Sequence, residues 1–125
     1  MTMSSSDISK KACKIAQKKY GKGLILFSHS EARKKGHDGK CKGYNVEIKG
    51  TSSSDPSKGL VFSDNEVESM KNPLWRLIRV TGIDTGREKV FFLTENELIR
   101  SPVVEKRHRF RVKVAGKDRP KPVKK

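Results

Sequence analysis

At 125 residues the chain is long enough for one domain with a single core and too short for two. Its 29 Lys and Arg against 14 Asp and Glu leave a formal net charge of +15, which points to a polyanion, most simply nucleic acid, as partner. No apolar run approaches the roughly 20 residues of a membrane span and no signal-peptide core follows Met1, so the composition argues against a membrane protein and for a cytoplasmic one.

The charge is unevenly spread. Residues 1–43 hold eleven Lys and Arg against Asp7, Glu31 and Asp38, and residues 101–125 hold ten against Glu105 and Asp118. The stretch between them holds eight against nine acids, a near-neutral centre between two basic arms. Solvated tails that aid solubility are the plain alternative to a phosphate-binding role. Cys13 and Cys41 show no CxxC spacing, so neither a disulfide framework nor a structural zinc site is expected, and each reads as a small buried or half-buried residue.

Residues 1–6 read as a disordered polar leader. Ser6 or Asp7 then caps a helix to about Tyr20, with Ile8, Ala12, Ile15 and Ala16 on one face and Lys10, Lys11, Lys14, Lys18 and Lys19 on the other. That basic face suits a phosphate backbone or plain solvent. Gly21 and Gly23 end the helix, Leu24 to Phe27 is a short apolar strand, and Ser28 to Lys35 forms a turn or helical fragment. Gly36-His37-Asp38 follows, and Gly39 to Gly43, with Lys40 and Lys42, reads as a tight basic connection.

Tyr44 to Thr51 is the most informative stretch. Tyr44, Val46 and Ile48 alternate with Asn45, Glu47 and Lys49, so the polar three share one face of a strand. An amphipathic strand with an exposed Glu–Lys pair fits this pattern. So does a site in which Asp38 and Glu47 hold a metal ion beside the Lys49 ammonium.

Thr51 to Gly59 has the Ser, Pro and Gly content of an exposed loop, and Leu60-Val61-Phe62 is a brief strand. Ser63 or Asp64 caps a helix with Glu66 in the capping-box position. Asn72-Pro73 stops that helix. Leu74 to Ile83 carries apolar residues on both sides, as in a central strand, with Arg76 and Arg79 near its ends or snorkelling. Lys89 to Thr94 is the next strand after a turn, and a helical turn from Thr94 or Glu95 through Leu98 ends before Pro102. Arg109, Arg111 and Lys113 alternate with Phe110, Val112 and Val114 in an edge strand, and a flexible tail follows from Gly116. The expected architecture is mixed α/β, a central sheet with a helix on each side, in one domain over residues 7–100 with a basic C-terminal arm over 101–125.

The ordered set Gly36-His37-Asp38, Tyr44-Asn45-Val46-Glu47-Ile48-Lys49-Gly50-Thr51 and Leu60-Val61-Phe62-Ser63-Asp64-Asn65-Glu66-Val67 resembles the PD-(D/E)XK nuclease-like superfamily. More narrowly, it is similar to the No Vein-like C-terminal domain of unknown function, and the layout resembles that of archaeal Holliday-junction resolvases. The resemblance implies a small restriction-endonuclease-like fold and a metal-dependent DNA endonuclease, or a catalytically inactive nucleic-acid-binding module or assembly subunit on the same fold. It makes Asp38 and Glu47 the carboxylates holding Mg²⁺ or Mn²⁺, the main-chain carbonyl of Ile48 a further ligand, and Lys49 the catalytic lysine. Lys10, Lys11, Lys14, Lys18, Lys19, Lys40, Lys42, Arg107, Arg109, Arg111 and Lys113 are then the nucleic-acid contacts, on DNA rather than RNA, with a homodimer as one possible assembly. Many active members carry another acid on the first helix. Here that helix offers only Asp7 at its start, and Glu31 is the nearest substitute. His29, His37 and His108 lack ligand spacing.

Overall fold

The computed structural model describes residues 5–58, 60–106 and 109–114. It is mixed α/β, with a five-stranded sheet, a three-stranded sheet and three α-helices. Helix α1 (Ser5–Tyr20) already begins at Ser5, ahead of either expected cap. It leads through a 3-10 turn into β1 (Leu24–Leu26), and Ser28 then caps α2 (His29–Lys35) by accepting from Glu31 N at 3.3 Å. Gly36 ends α2 at φ 78°, a left-handed conformation that costs glycine nothing.

The expected connection at residues 39–43 is instead a hairpin. Strand β2 (Gly39–Cys41) turns through Lys42 and Gly43 into β3 (Tyr44–Gly50), with Cys41 opposite Tyr44. Lys42 sits at φ 53° and Gly43 at φ 86°, the positive pair that a tight two-residue hairpin turn requires. Pairing on both sides makes a strand of Gly-Lys-Cys despite its weak intrinsic preference.

The larger sheet has the order β1-β2-β3-β5-β6, with β5 (Trp75–Thr81) parallel to β3 and antiparallel to β6 (Lys89–Leu93). One face of it packs on α1 through Val46, Ile48, Ile78 and Val80 against Ala12 and Ala16, all buried. The approach is close: a Cβ on Gly50 would lie 2.7 Å from Ala12 Cβ and 2.6 Å from Ile83 Cδ1. Small residues on both surfaces are what let helix and strand meet.

The other face is covered by more than a helix. Strand β4 (Val61–Ser63) and α3 (Asp64–Ser69) bring Leu60, Phe62, Val67 and Met70 onto Trp75, Leu77, Phe91 and Leu93. Strands β7 (Leu98–Lys106) and β8 (Arg109–Val114) join β4 in the second sheet, order β4-β8-β7. Two expectations change here. The turn after β6 is a 3-10 turn of three residues, Glu95–Glu97, and the chain then continues as a strand through Pro102. The register of that strand shifts between Arg100 and Val104, an irregularity of the kind that accommodates a proline without a ladder N–H. Residues 109–114 form the middle strand of their sheet and not an edge.

Arg79 is a third correction. It is 1% exposed, neither snorkelling nor at a strand end. Its guanidinium donates to the carbonyls of Pro56 at 2.8 Å, Lys58 at 2.6 Å and Gly50 at 3.3 Å, and so fastens the loop after β3. Burial lowers its pKa to about 10, with Asp55 pulling the other way.

Candidate active site

Strand β3 divides its side chains between two environments. Val46 and Ile48 enter the core under α1, while Asn45, Glu47 and Lys49 face the side of α3. The β3 groups that bond to β5 belong to the odd-numbered residues, such as Asn45 N donating to Leu74 O at 2.8 Å. The even-numbered groups leave on the opposite edge, where β2 ends and Asp38 begins.

Asp38 closes that edge. Its backbone N donates to Val46 O at 2.9 Å, and its Oδ2 accepts from Ile48 N at 2.8 Å. The carboxylate therefore lies over β3 where β2 no longer pairs with it. The Ile48 carbonyl leaves β3 on the same edge as the Ile48 N–H that meets Asp38.

The fourth member of the group comes from α3. Ser63 and Glu66 form a reciprocal capping box: Glu66 N donates to Ser63 Oγ at 3.3 Å, and Ser63 N to Glu66 Oε1 at 2.8 Å. The second oxygen of Glu66 takes the Lys49 ammonium at 3.0 Å, both side chains being about one-fifth exposed. Lys49 Nζ also sits 5.0 Å from the centre of the Phe62 ring. The cap thus fixes a carboxylate, and the carboxylate fixes the lysine.

Glu47 is 5% exposed and hydrogen-bonded to Glu66. Burial, first, then that bond and the charges of Asp38 and Glu66 push its pKa well above the carboxylate range, with Lys49 opposing. Burial pushes Glu66 up as well. The bond from Glu47, the charge of Lys49 and the Ser63 N–H outweigh burial and hold it below the usual range. The two shifts run in opposite directions, so of the pair Glu47 is the one that keeps a proton more readily.

Asp38, Glu47, Lys49 and Glu66 line one cleft of about 620 Å³, with Ser9 of α1 and His37 also in its wall. Burial lowers the pKa of His37. Cys13, one turn beyond Ser9, is close enough to Asp38 that the carboxylate adds to burial in raising its thiol to about 11. The α1 side of the cleft supplies Ser9 and no acid, and a further carboxyl comes from α3. Glu31 is not a substitute for an acid on α1: it is exposed, bonded to Ser28, and not in the cleft wall. The signal for Glu66 lay in the sequence as the Ser63-x-x-Glu66 cap, which served there only to start a helix.

Three carboxyls around one ammonium leave the cleft short of positive charge, and this suits a divalent cation. Among the described residues no three His, Cys, Asp or Glu side chains form a ready-made cage. Mg²⁺ does not require one, since one or two carboxylates plus substrate phosphate and water are a usual set. Asp38, Glu47 and the Ile48 carbonyl fit that mode, and Glu47 must lose its proton to take part.

Of the basic residues singled out, Lys10, Lys14, Lys18, Lys40 and Lys42 are exposed, while Lys11 and Lys19 are half-buried. Lys11 forms an ion pair with Asp84, and the Lys42 ammonium sits 5.6 Å from the centre of the Tyr20 ring. Arg107 lies outside the described residues, as do the side chains of Arg109, Arg111 and Lys113. Both cysteines are free, Cys41 buried and Cys13 half-buried. No helix among the described residues is long and apolar enough to cross a membrane. Comparison with protein-family models, with curated proteins and with solved structures finds no match to this chain.

Proposed function

We propose that the protein is a metal-dependent phosphodiesterase of the PD-(D/E)XK type acting as a DNA endonuclease, with a restriction-endonuclease-like fold. The observation that carries this reading is the convergence of Asp38, from the bend before β2, with Glu47 and Lys49 of β3 on one cleft. Mg²⁺ or Mn²⁺, when bound, supplies a Lewis acid that offsets phosphodiester charge and acidifies water. Asp38, Glu47 and the Ile48 carbonyl would hold it. Lys49 donates a hydrogen bond to the oxygen on which negative charge grows, its side chain being about four-fifths buried and held in the cleft by Glu66. Glu66 is a positioning residue: it keeps Lys49 in the cleft and takes up the proton economy of Glu47.

Supercoiled plasmid incubated with the protein and Mg²⁺ or Mn²⁺ is expected to be nicked or linearised. Glu47→Ala and Lys49→Ala are each expected to lower the rate by about 10²-fold or more while binding persists. Absence of cleavage by clean wild-type protein on plasmid, linear and branched DNA would overturn the proposal.

One observation favours a second reading, a nucleic-acid-binding module without catalysis. The Lys49 ammonium is held by Glu66, and Glu47 holds a proton, so two of the three reacting groups are already engaged with the protein. Under this reading metal leaves DNA affinity unchanged. Under the first it strengthens it.

A further inference from the structure

We propose that a second cleft beside the active site receives an unpaired nucleobase of the strand being cut. It encloses about 410 Å³ and shares Gly36, His37 and Asn65 with the active-site cleft. Strand β3 runs through both, Asn45 facing the second cleft and Glu47 and Lys49 the first. Successive same-face residues on a strand lie about 7 Å apart, so the two clefts are neighbours on the scale of one nucleotide. Ser69, in the second cleft, donates to Gly36 O at 2.8 Å and bolts α3 to the end of α2, which fixes the dividing wall.

The chemistry of this cleft is that of a base reader. Trp75 forms part of its wall, is 1% exposed, and its indole Nε1–H has no partner. His37 Nε2 is also buried and without a partner. His37 Nδ1 lies 3.2 Å from the Lys35 carbonyl and donates to it, which leaves Nε2 as an acceptor. One donor and one acceptor thus stand unused on residues of this wall, an arrangement that a folded chain avoids unless something else satisfies it; both atoms are closed to solvent here, so a base meets them only where the wall yields to it. Phosphate supplies acceptors only. A nucleobase edge supplies donors and acceptors side by side.

The carboxamides point the same way. Asn45 and Asn65 line the cleft, and Asn72 accepts from Leu74 N through Oδ1 at 2.9 Å, which leaves its amide nitrogen as a donor. Asparagine matches the adjacent acceptor and amine of adenine. Exposed Lys34 and Lys35 supply charge for flanking phosphates, while the one acid in the wall, Glu68, is offset by Lys71 at 3.0 Å. A base stacked and paired in a duplex cannot enter such a cleft. An unpaired or extruded one enters at little cost.

The proposal rests on the nuclease reading for the identity of the strand, but its test does not need cleavage. Binding is measured by fluorescence anisotropy in EDTA at fixed ionic strength. The three labelled duplexes are one with a single unpaired adenine, one with an abasic residue at that position, and one fully paired. The adenine bulge is expected to bind about tenfold more tightly than either of the others. Emission from Trp75, the only tryptophan, is expected to change with that duplex alone. Asn45→Ala and Trp75→Phe should bring the three affinities to parity; should Trp75→Phe not fold, Asn45→Ala decides. Equal affinities with wild-type protein, or a preference that survives Asn45→Ala, would overturn the proposal. Plasmid cleavage in Mg²⁺ on the same preparation separates the two readings. Base preference without cleavage overturns the nuclease and supports the pocket, and cleavage without base preference does the reverse.

Discussion

Burial first, then the bond to Glu66 and the nearby charges of Asp38 and Glu66, raise the pKa of Glu47 to about 11. Because its folded pKa is raised, the stability it contributes is complete below the ordinary carboxylate range and is lost as pH rises toward the raised value. Glu66 has the opposite sign, so its contribution is present at neutral pH and is lost only in strong acid. In metal-free protein the melting temperature should therefore fall as pH rises from the ordinary carboxylate value of 4.5 toward about 11. Glu47→Gln keeps a donor to Glu66 but cannot ionise, so it should flatten that fall and melt higher than wild type at the alkaline end. Each kcal/mol regained corresponds to roughly 3–6 °C for a domain of this size. Thermal melts in EDTA across the range check this, and a wild-type stability that is flat or rises with pH would contradict it. Metal binding should show the linked behaviour. Affinity for Mn²⁺ should rise with pH as Glu47 gives up its proton, and calorimetry in buffers of different ionisation enthalpy should detect proton release. Lack of both would remove Glu47 from the metal set.

At the scale of elements, the site depends on how firmly β3 and the loop after it are held. Arg79 does this from beneath with hydrogen bonds to the carbonyls of Pro56 and Lys58 in the loop and of Gly50 at the end of β3. Arg79→Met would leave those carbonyls unsatisfied, at a cost of about 1–3 kcal/mol for each one that water does not reach. Faster amide exchange and protease cutting within residues 51–59 are the expected signs, and Arg79→Lys should rescue little, because an ammonium cannot span the three acceptors as a planar fork does. Unchanged exchange in the loop would show that Arg79 is not its anchor. The elements legible in the sequence were those with a period or a cap: α1 from its apolar stripe, β3 from strict alternation, α3 from Ser63 and Glu66. Strand β2 was not legible, since Gly-Lys-Cys becomes a strand only between two partners. Strand β7 was hidden by Pro102 and a shifted register. In the candidate site, spacing alone put Glu47 and Lys49 on one face, and Asp38, already named with them, lies over the edge of β3. Glu66 escaped because a capping residue and a site residue look alike until the helix is placed against the strand. Arg79 escaped for a related reason: a charge in a central strand reads as exposed unless the loop that satisfies it is known.

For the molecule as a whole, the surplus of positive charge falls in residues 1–43 and 101–125, the first of which includes the exposed Lys10, Lys14, Lys18, Lys40 and Lys42. A polyanion drawn to such a surface binds with strong salt dependence. Removing the last eleven residues, 115–125, takes away Lys117, Arg119, Lys121, Lys124 and Lys125 without cutting into β8. The slope of log affinity against log salt should then become shallower by about 0.9 for each phosphate that these side chains neutralise in the full-length protein. An unchanged slope would show that they neutralise none. Cutting further back, into residues 109–114, would remove the strand that pairs with β4 and disturb Phe62 and the cap at Ser63. Attraction alone does not distinguish a nuclease from a binding module; chemistry at the cleft does. The decisive measurement is single-turnover cleavage of labelled DNA against Mg²⁺ concentration, with affinity recorded in parallel, for wild type, Lys49→Met and Glu66→Gln. Metal-dependent cleavage is expected, with Lys49→Met slower by about 10²–10³-fold at similar affinity and Glu66→Gln intermediate. Cleavage that needs no metal, or that proceeds at the wild-type rate in Lys49→Met, would contradict the assignment of this cleft as the active site.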